Sequence, residues 1–227
     1  MEKIAIVGAT GQEGFGLALR WAQAGESVII GSRDPARARA SASELKKMIP
    51  DAAVDGLANP DAVVQAKIVV LTVPLAAQIA TLKSIRDRLQ PGTVFIDATV
   101  PLEKALGGRL SRVIQLWDGS AAEQTARYVG KQVRVAGAFH CLSAEALRDL
   151  ERPVDSDVLI TGDSREARAA VSALVAKIPG ARAVDLGPLD NSRYAEQLAA
   201  LLITLNLRHR VSASGIRFTG LPGAKDS

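Results

Sequence analysis

Short apolar runs alternate with amphipathic stretches along most of the chain. Residues 4–7 (IAIV) contain no polar side chain, and residues 67–73 and 93–97 are mostly apolar. Such runs are typical of strands in a parallel sheet that helices cover on both faces. After the first run, Leu17, Ala18 and Trp21 recur at helical spacing. The repeated strand–helix units predict an α/β fold with a doubly wound, mostly parallel sheet.

A glycine-rich turn separates the first predicted strand from the first predicted helix. It reads GATGQEG over residues 8–14. Glycines let the backbone approach a pyrophosphate closely, and the helix start offers the anion free N–H groups and a positive dipole end. The spacing is GxxGxxG instead of the common GxGxxG, so the glycines alone are also compatible with a tight turn that binds nothing. With the strand and the helix around it, the turn predicts a Rossmann-type dinucleotide site.

The end of the second predicted strand indicates which dinucleotide would bind. An NAD site usually has Asp or Glu at this strand tip, whereas this tip reads Gly31-Ser32-Arg33, with Arg37 one turn later. A hydroxyl and guanidinium groups suit a 2′-phosphate, which Arg binds with a bidentate fork. Asp34 lies next to this set but past the tip. We therefore predict an NADP site.

The alternation of strands and helices persists to about residue 137 and then continues in a shorter form. Residues 158–160 and 183–184 predict two further strands, and residues 165–177 and 191–210 predict two helices. We therefore expect an NADP-binding Rossmann domain over residues 1–137. A smaller C-terminal α/β lobe over residues 138–227 would complete the coenzyme cleft and provide dimer contacts.

Composition narrows the range of functions. The chain has 227 residues, 48% of them hydrophobic, and carries a formal net charge of +4. Its basic residues are dispersed and its aromatics few, so we expect no nucleic-acid partner. No run of eighteen apolar residues suggests a membrane span, and the chain enters its first strand without a leader; we expect a cytoplasmic enzyme. One cysteine, Cys141, and two histidines, His140 and His209, argue against a metal site.

Beyond these features, the chain resembles the family of F420-dependent NADP reductases over nearly its full length. These enzymes pass hydride between NADPH and the deazaflavin coenzyme F420. Several of the matching segments, notably the one that begins at Asp118 and the Ser192-Arg193 pair, are not general features of Rossmann folds. The matching segments are residues 8–11 with Gly14 and Gly16, 31–33, 71–74, 118–123, 138–140, 153–157, 187–193 and 215–217.

The resemblance implies roles for individual residues. It places the glycine turn and the first turn of the helix near the pyrophosphate, and it places the tip of the second strand near the 2′-phosphate. Val73 and Pro74 would flank the ribose and the nicotinamide, and His140 is a possible deazaflavin contact. No acid–base triad is expected, because the hydride passes directly between two stacked rings. The predicted NADP(H)-binding residues are Gly8, Thr10, Gly11, Gln12, Glu13, Ser32, Arg33, Arg37, Val73 and Pro74.

Three alternatives stay open from the sequence. The chain also looks similar to the oxidoreductase domain of STEAP ferric reductases, which would imply an NADPH-dependent flavin or ferric reductase. A non-catalytic NADP sensor related to short-chain dehydrogenases is a second alternative. Active short-chain dehydrogenases need a Tyr-x-x-x-Lys pair, and neither Tyr128 nor Tyr194 is followed by that lysine. A dehydrogenase of imino or hydroxy acids is a third, with only His140 placed as proton donor. The long apolar stretch 198–207 predicts burial in the lobe or in a homodimer.

Overall fold

The computed structural model describes residues 2–221, which form a single eight-stranded sheet with the order β3-β2-β1-β4-β5-β6-β7-β8. All neighbouring strands are parallel except β6 and β7. The strands are β1 Ile4–Val7, β2 Val28–Ser32, β3 Val54–Ala58, β4 Ile68–Leu71, β5 Val94–Asp97, β6 Arg134–Gly137, β7 Ser156–Gly162 and β8 Ala181–Gly187.

Within residues 2–221, eight α-helices connect and cover these strands. They are α1 Gln12–Gln23, α2 Pro35–Met48, α3 Asn59–Val64, α4 Leu75–Ile85, α5 Ala121–Val129, α6 Ala144–Arg148, α7 Arg165–Val175 and α8 Ser192–His209. The described part of the chain also has three short 3₁₀ helices, at Arg86–Arg88, Glu103–Leu106 and Leu189–Asn191. Among residues 2–221, no helix combines the length and the apolar character that crossing a bilayer requires.

The apolar strands bury both of their faces, as their sequence predicts. Ile4 and Ile6 of β1 belong to one core cluster, together with residues of α1, α2 and α7. Ala5 and Val7 belong to a second cluster on the opposite face, with residues of α3, α4 and α5. Successive side chains of a strand alternate between the two faces of the sheet, so an uninterrupted apolar run is needed to fill both layers. The predicted α/β fold with a doubly wound sheet is confirmed.

The second half of the chain differs from the predicted elements in detail. The strands β7 and β8 are longer than predicted, and α6 was not predicted at all. The strands of the expected C-terminal lobe extend the same sheet, because β7 pairs with β6 at Gly137 and Thr161. The division of the chain into domains at residue 137 stays a prediction.

Residues 211–221, called here the C-terminal strap, follow α8 and contact the start of β7. The backbone N–H of Asp157 donates to the carbonyl of Ile216 at 2.7 Å. The carboxylate of Asp157 accepts hydrogen bonds from Arg182 (Nε, 2.8 Å), Arg217 (Nη1, 3.0 Å) and the Phe218 N–H (2.7 Å). Because β7 runs antiparallel to β6, its first residues lie at the sheet edge where β1 to β6 end, and the strap lies at that edge.

Candidate functional site

The glycine turn brings the backbone of β1 and the start of α1 close to the end of β4. Gly8 has a φ of 87°, and a Cβ at this position would lie 2.6 Å from Cγ1 of Val73. A Cβ on Gly14 would lie 2.8 Å from Cα of Ala9. The first turn of α1 has no side-chain cap, since Gly11 occupies the N-cap position. Its N–H groups therefore stay available to an anion, as a pyrophosphate site requires.

A cavity of about 580 Å³ opens next to this turn, and we call it the main cavity. Eight of the ten residues predicted to bind NADP(H) line it; the other two, Gln12 and Glu13, begin α1 next to it without lining it. The structure thus brings together residues from three separate segments of the chain. Whether each side chain contacts a coenzyme stays a prediction. The eight are Gly8, Thr10, Gly11, Ser32, Arg33, Arg37, Val73 and Pro74.

The tip of β2 keeps its positive charge in the fold. Arg33 and Arg37 are exposed where they line the main cavity, and neither forms an ion pair with another residue in the range 2–221. Asp34 also lines the main cavity, but its Oδ1 accepts a hydrogen bond of 2.8 Å from the N–H of Ala36 and so caps α2. The neighbouring carboxylate is therefore directed at a helix, which leaves two guanidinium groups for a phosphate.

His140 follows β6 at the same edge of the sheet and is only 8% exposed. Neither ring nitrogen has a hydrogen-bond partner among the described residues. Burial lowers the pKa of His140 to about 4, so the imidazole is neutral near pH 7 and offers one donor and one acceptor. A neutral, unpartnered imidazole can hydrogen-bond a ligand without adding charge.

The residue before this histidine has an unusual backbone. Phe139 has a φ of 71°, in the left-handed region that residues with a β-carbon seldom occupy. Its buried ring packs edge-on against Trp21 of α1, with centroids 5.6 Å apart and planes at 74°. Trp21 donates from Nε1 to the carbonyl of Leu174 at 3.1 Å. Core packing therefore holds the backbone turn that orients His140.

Three acidic groups at this edge, Asp97, Glu13 and Glu196, have raised pKa values, so their charged forms are disfavoured. Burial raises the pKa of Asp97, although its oxygens accept hydrogen bonds from Thr125, from the Thr99 N–H at 2.6 Å and from Gln78 at 2.9 Å. Glu13 keeps part of its surface exposed, yet burial of its carboxyl group and the nearby charge of Asp97 raise its pKa to about 8. Glu13 belongs to the first turn of α1, next to the glycine turn, and a neutral Glu13 would not repel a pyrophosphate bound there.

The third acidic group connects α8 to α5. Glu196 is buried, and its Oε1 accepts hydrogen bonds from the N–H groups of Ala121 (2.9 Å) and Ala122 (3.3 Å). Burial raises its pKa to about 8, against the lowering effect of the bond from Ala121. Cys141 lies nearby, and burial together with the charge of Glu13 raises the pKa of its thiol to about 12. That thiol is protonated at neutral pH and is therefore no nucleophile.

Besides the eight predicted residues and Asp34, the main cavity is lined by four residues to which sequence reasoning assigned no role in binding. Asn59 and Thr72 follow the ends of β3 and β4, while Ala77 and Thr81 belong to α4. Asn59 and Thr72 could have been predicted, because the carboxyl ends of parallel strands converge on one edge of the sheet and bind ligands there. A systematic list of residues after each strand would have included Asn59 and Thr72.

Comparisons with known proteins agree with this geometry. A family described as "NADP oxidoreductase coenzyme F420-dependent" matches residues 3–101. An F420-dependent NADP reductase of Methanothermobacter thermautotrophicus is 50% identical over 97% of this chain and 96% of its own. The Methanocaldococcus jannaschii protein of the same name is 38% identical over 96% of this chain and 99% of its own.

A solved structure gives the same result for the fold. It comes from Arthrobacter sp. FB24, is described as a candidate F420-dependent NADP-reductase, and superposes with a TM-score of 0.81 at 26% identity. The superposition covers 96% of this chain and all of the other. From the full-length identity and the shared fold, the chain belongs to the family of F420-dependent NADP reductases.

Proposed function

We propose that the protein is an oxidoreductase that transfers hydride between NADP(H) and coenzyme F420. The observation that carries the proposal is the main cavity, in which the glycine turn, the uncapped start of α1 and two exposed arginines lie together. Both coenzymes appear in the names of the full-length relatives. The residues present suit an NADP(H) molecule with its pyrophosphate at α1 and its 2′-phosphate at Ser32, Arg33 and Arg37.

The chain's own groups would bind, orient and shield the reactants. Bound together, the two coenzymes supply the chemistry, a direct hydride transfer between nicotinamide and deazaflavin rings. Val73 and Pro74, at the end of β4, would hold the nicotinamide ribose. His140 would donate a hydrogen bond to the deazaflavin ring, for which it has unpartnered nitrogens. Orientation of two rings in contact can contribute up to roughly 7–11 kcal/mol, so no further acid or base is needed.

The test follows NADPH oxidation by purified protein with F420, FMN, FAD and a ferric chelate in separate reactions. We expect turnover with F420 alone. Turnover only with flavin or iron would make the protein a flavin or ferric reductase, and NADPH binding without oxidation would leave a sensor or another dehydrogenase.

A substitution of His140 then tests its proposed contact with F420. His140→Ala should lower kcat with F420 by roughly tenfold, the value of a lost hydrogen bond of about 1.4 kcal/mol, without changing the Kd for NADPH. The control is His209→Ala, which alters the chain's exposed histidine at the end of α8. Equal effects of both substitutions would remove His140 from the site.

We also propose a cytoplasmic homodimer that forms through α8. Tyr194, Leu201, Leu205 and Leu207 are exposed large apolar side chains on this one helix. Tyr194, Leu201 and Leu205 follow one another at intervals of seven and four residues and so share one face of the helix, and an exposed apolar row of this kind is typical of a protein–protein contact. Sedimentation should give a dimer for the wild type and a monomer for Leu205→Glu, while the control Met48→Glu, on exposed α2 surface, should stay dimeric. A monomeric wild type would refute this assembly.

A further inference from the structure

Asn59 is a buried polar residue without a structural task. It is the first residue of α3, directly after β3, and is 2% exposed. Its Oδ1 is sealed from solvent and has no hydrogen-bond partner among the described residues. Since burial of an unpaired carbonyl oxygen costs free energy, an apolar residue would serve the fold better here. A buried polar atom without a partner needs an explanation, and a bound ligand is one.

The surroundings of Asn59 indicate which part of a ligand it would meet. Ala58 pairs with Ser32 in the β2–β3 ladder, so Asn59 lies beside the tip of β2. A Cβ on Gly31 would lie 2.9 Å from Oδ1 of Asn59, which means that the amide packs against the backbone just before Ser32. Glycine at position 31 leaves the space that the amide occupies.

Asn59 also lines the main cavity together with Ser32, Arg33 and Arg37. The two arginines are long, exposed side chains, whereas Asn59 is short and held by packing. An amide presents an NH₂ donor on one side and a carbonyl acceptor on the other, and rotation about its last bond exchanges the two. It can therefore give a phosphate oxygen a hydrogen bond from a fixed position.

We propose that Asn59 is a specificity-determining residue that donates a hydrogen bond to the 2′-phosphate of NADP(H). This inference rests on the proposed NADP(H) binding and extends the phosphate site from β2 to the neighbouring strand β3. Asn59 discriminates between NADPH and NADH because the hydrogen bond exists only when the phosphate is present. A carboxylate at the same position keeps the shape but lacks the donor and repels the phosphate.

Calorimetric titration of NADPH and NADH tests the proposal on the wild type, Asn59→Ala, Asn59→Asp and the control Asp61→Ala. Asp61 is exposed on the same helix and does not line the main cavity. Asn59→Ala should raise the Kd for NADPH roughly tenfold or more and the Kd for NADH less than twofold. Asn59→Asp should weaken NADPH further, by roughly a hundredfold, and the control should change neither value.

Three results would separate the possible failures. Equal weakening of NADPH and NADH by Asn59→Ala, or no weakening at all, would overturn the role of Asn59 while NADP(H) binding stands. A wild-type protein that does not bind NADPH would refute the proposed function itself, and this inference with it.

If the variants do not fold, NMR of the wild type decides. The side-chain amide signal of Asn59 should shift with adenosine 2′,5′-bisphosphate and stay in place with adenosine 5′-phosphate. An identical response to both ligands would overturn the proposal.

Discussion

Replacement of Asp157 by Asn should release the C-terminal strap and lower the stability of the whole protein. The carboxylate of Asp157 is fully buried and pairs with Arg182 and Arg217, which keep 27% and 38% of their side chains exposed. Removing one partner of a buried ion pair costs about 3–5 kcal/mol. Because both arginines can recover water, we expect a loss of about 2–3 kcal/mol, which for a chain of this size lowers Tm by about 4–12 °C.

The assay is urea unfolding of the wild type, Asp157→Asn and the control Asp155→Asn. Asp155 also pairs with Arg217, at 2.7 Å, but is 85% exposed, so its replacement should cost less than about 1 kcal/mol. A free energy of unfolding for Asp157→Asn within about 1 kcal/mol of the control would refute the reasoning.

The difference in stability between the wild type and Asp157→Asn should also depend on pH. Burial alone would raise the pKa of Asp157, but the hydrogen bonds from Arg182, Phe218 and Arg217 outweigh it and lower the pKa below its usual 3.8. A lowered folded-state pKa stabilises the protein above the unfolded value and loses this effect as the pH falls. The difference between the wild type and Asp157→Asn should therefore be constant above pH 5 and shrink below about pH 4.

Two further predictions concern the acidic groups with raised pKa values. Glu13, with a pKa of about 8, should become charged beside the pyrophosphate at high pH; the Kd for NADPH should rise from pH 7 to 9 in the wild type and stay flat in Glu13→Gln. Parallel loss in both proteins would contradict this. Glu196 has a folded-state pKa raised from 4.5 to about 8, so its contribution to stability is present at low pH and declines as the pH rises through this window. Glu196→Gln should thus gain on the wild type by up to a few kcal/mol between pH 5 and 8 in thermal unfolding, and a constant difference would refute the raised pKa.

The sequence predicted the parts of the fold that depend on local pattern. The strands β1, β4 and β5 are short apolar runs, and the sheet encloses them as predicted. The cap of α5 was also predictable, since Ser120 and Glu123 form a capping pair in which Ser120 accepts a bond of 3.1 Å from the Glu123 N–H. Such features need only a few neighbouring residues, which is why one sequence suffices.

Contacts between residues far apart in the chain could not be predicted from the local sequence pattern. Nothing near Asp157 in the sequence indicates that a strap about sixty residues later supplies two of its partners, Arg217 and Phe218. The role of α6 is similar, because the carbonyls of Ala146 and Leu147 accept from the buried Arg20 of α1, far away in the chain. The resemblance to the family marked residues 153–157 and 215–217 as significant, and only the fold explains that they contact each other.

The left-handed turn at Phe139 has a consequence for how the two halves of the cleft move. Because the Phe139 ring packs against Trp21, the loop that carries His140 takes its position from α1, the helix whose first turn would face the pyrophosphate in the proposed site. Thermal displacement of that helix would move both sides of the cleft in the same direction. The gap between two stacked rings would then fluctuate less than either wall does. The positions of the hydride donor and of its acceptor would then both depend on one aromatic pair in the core.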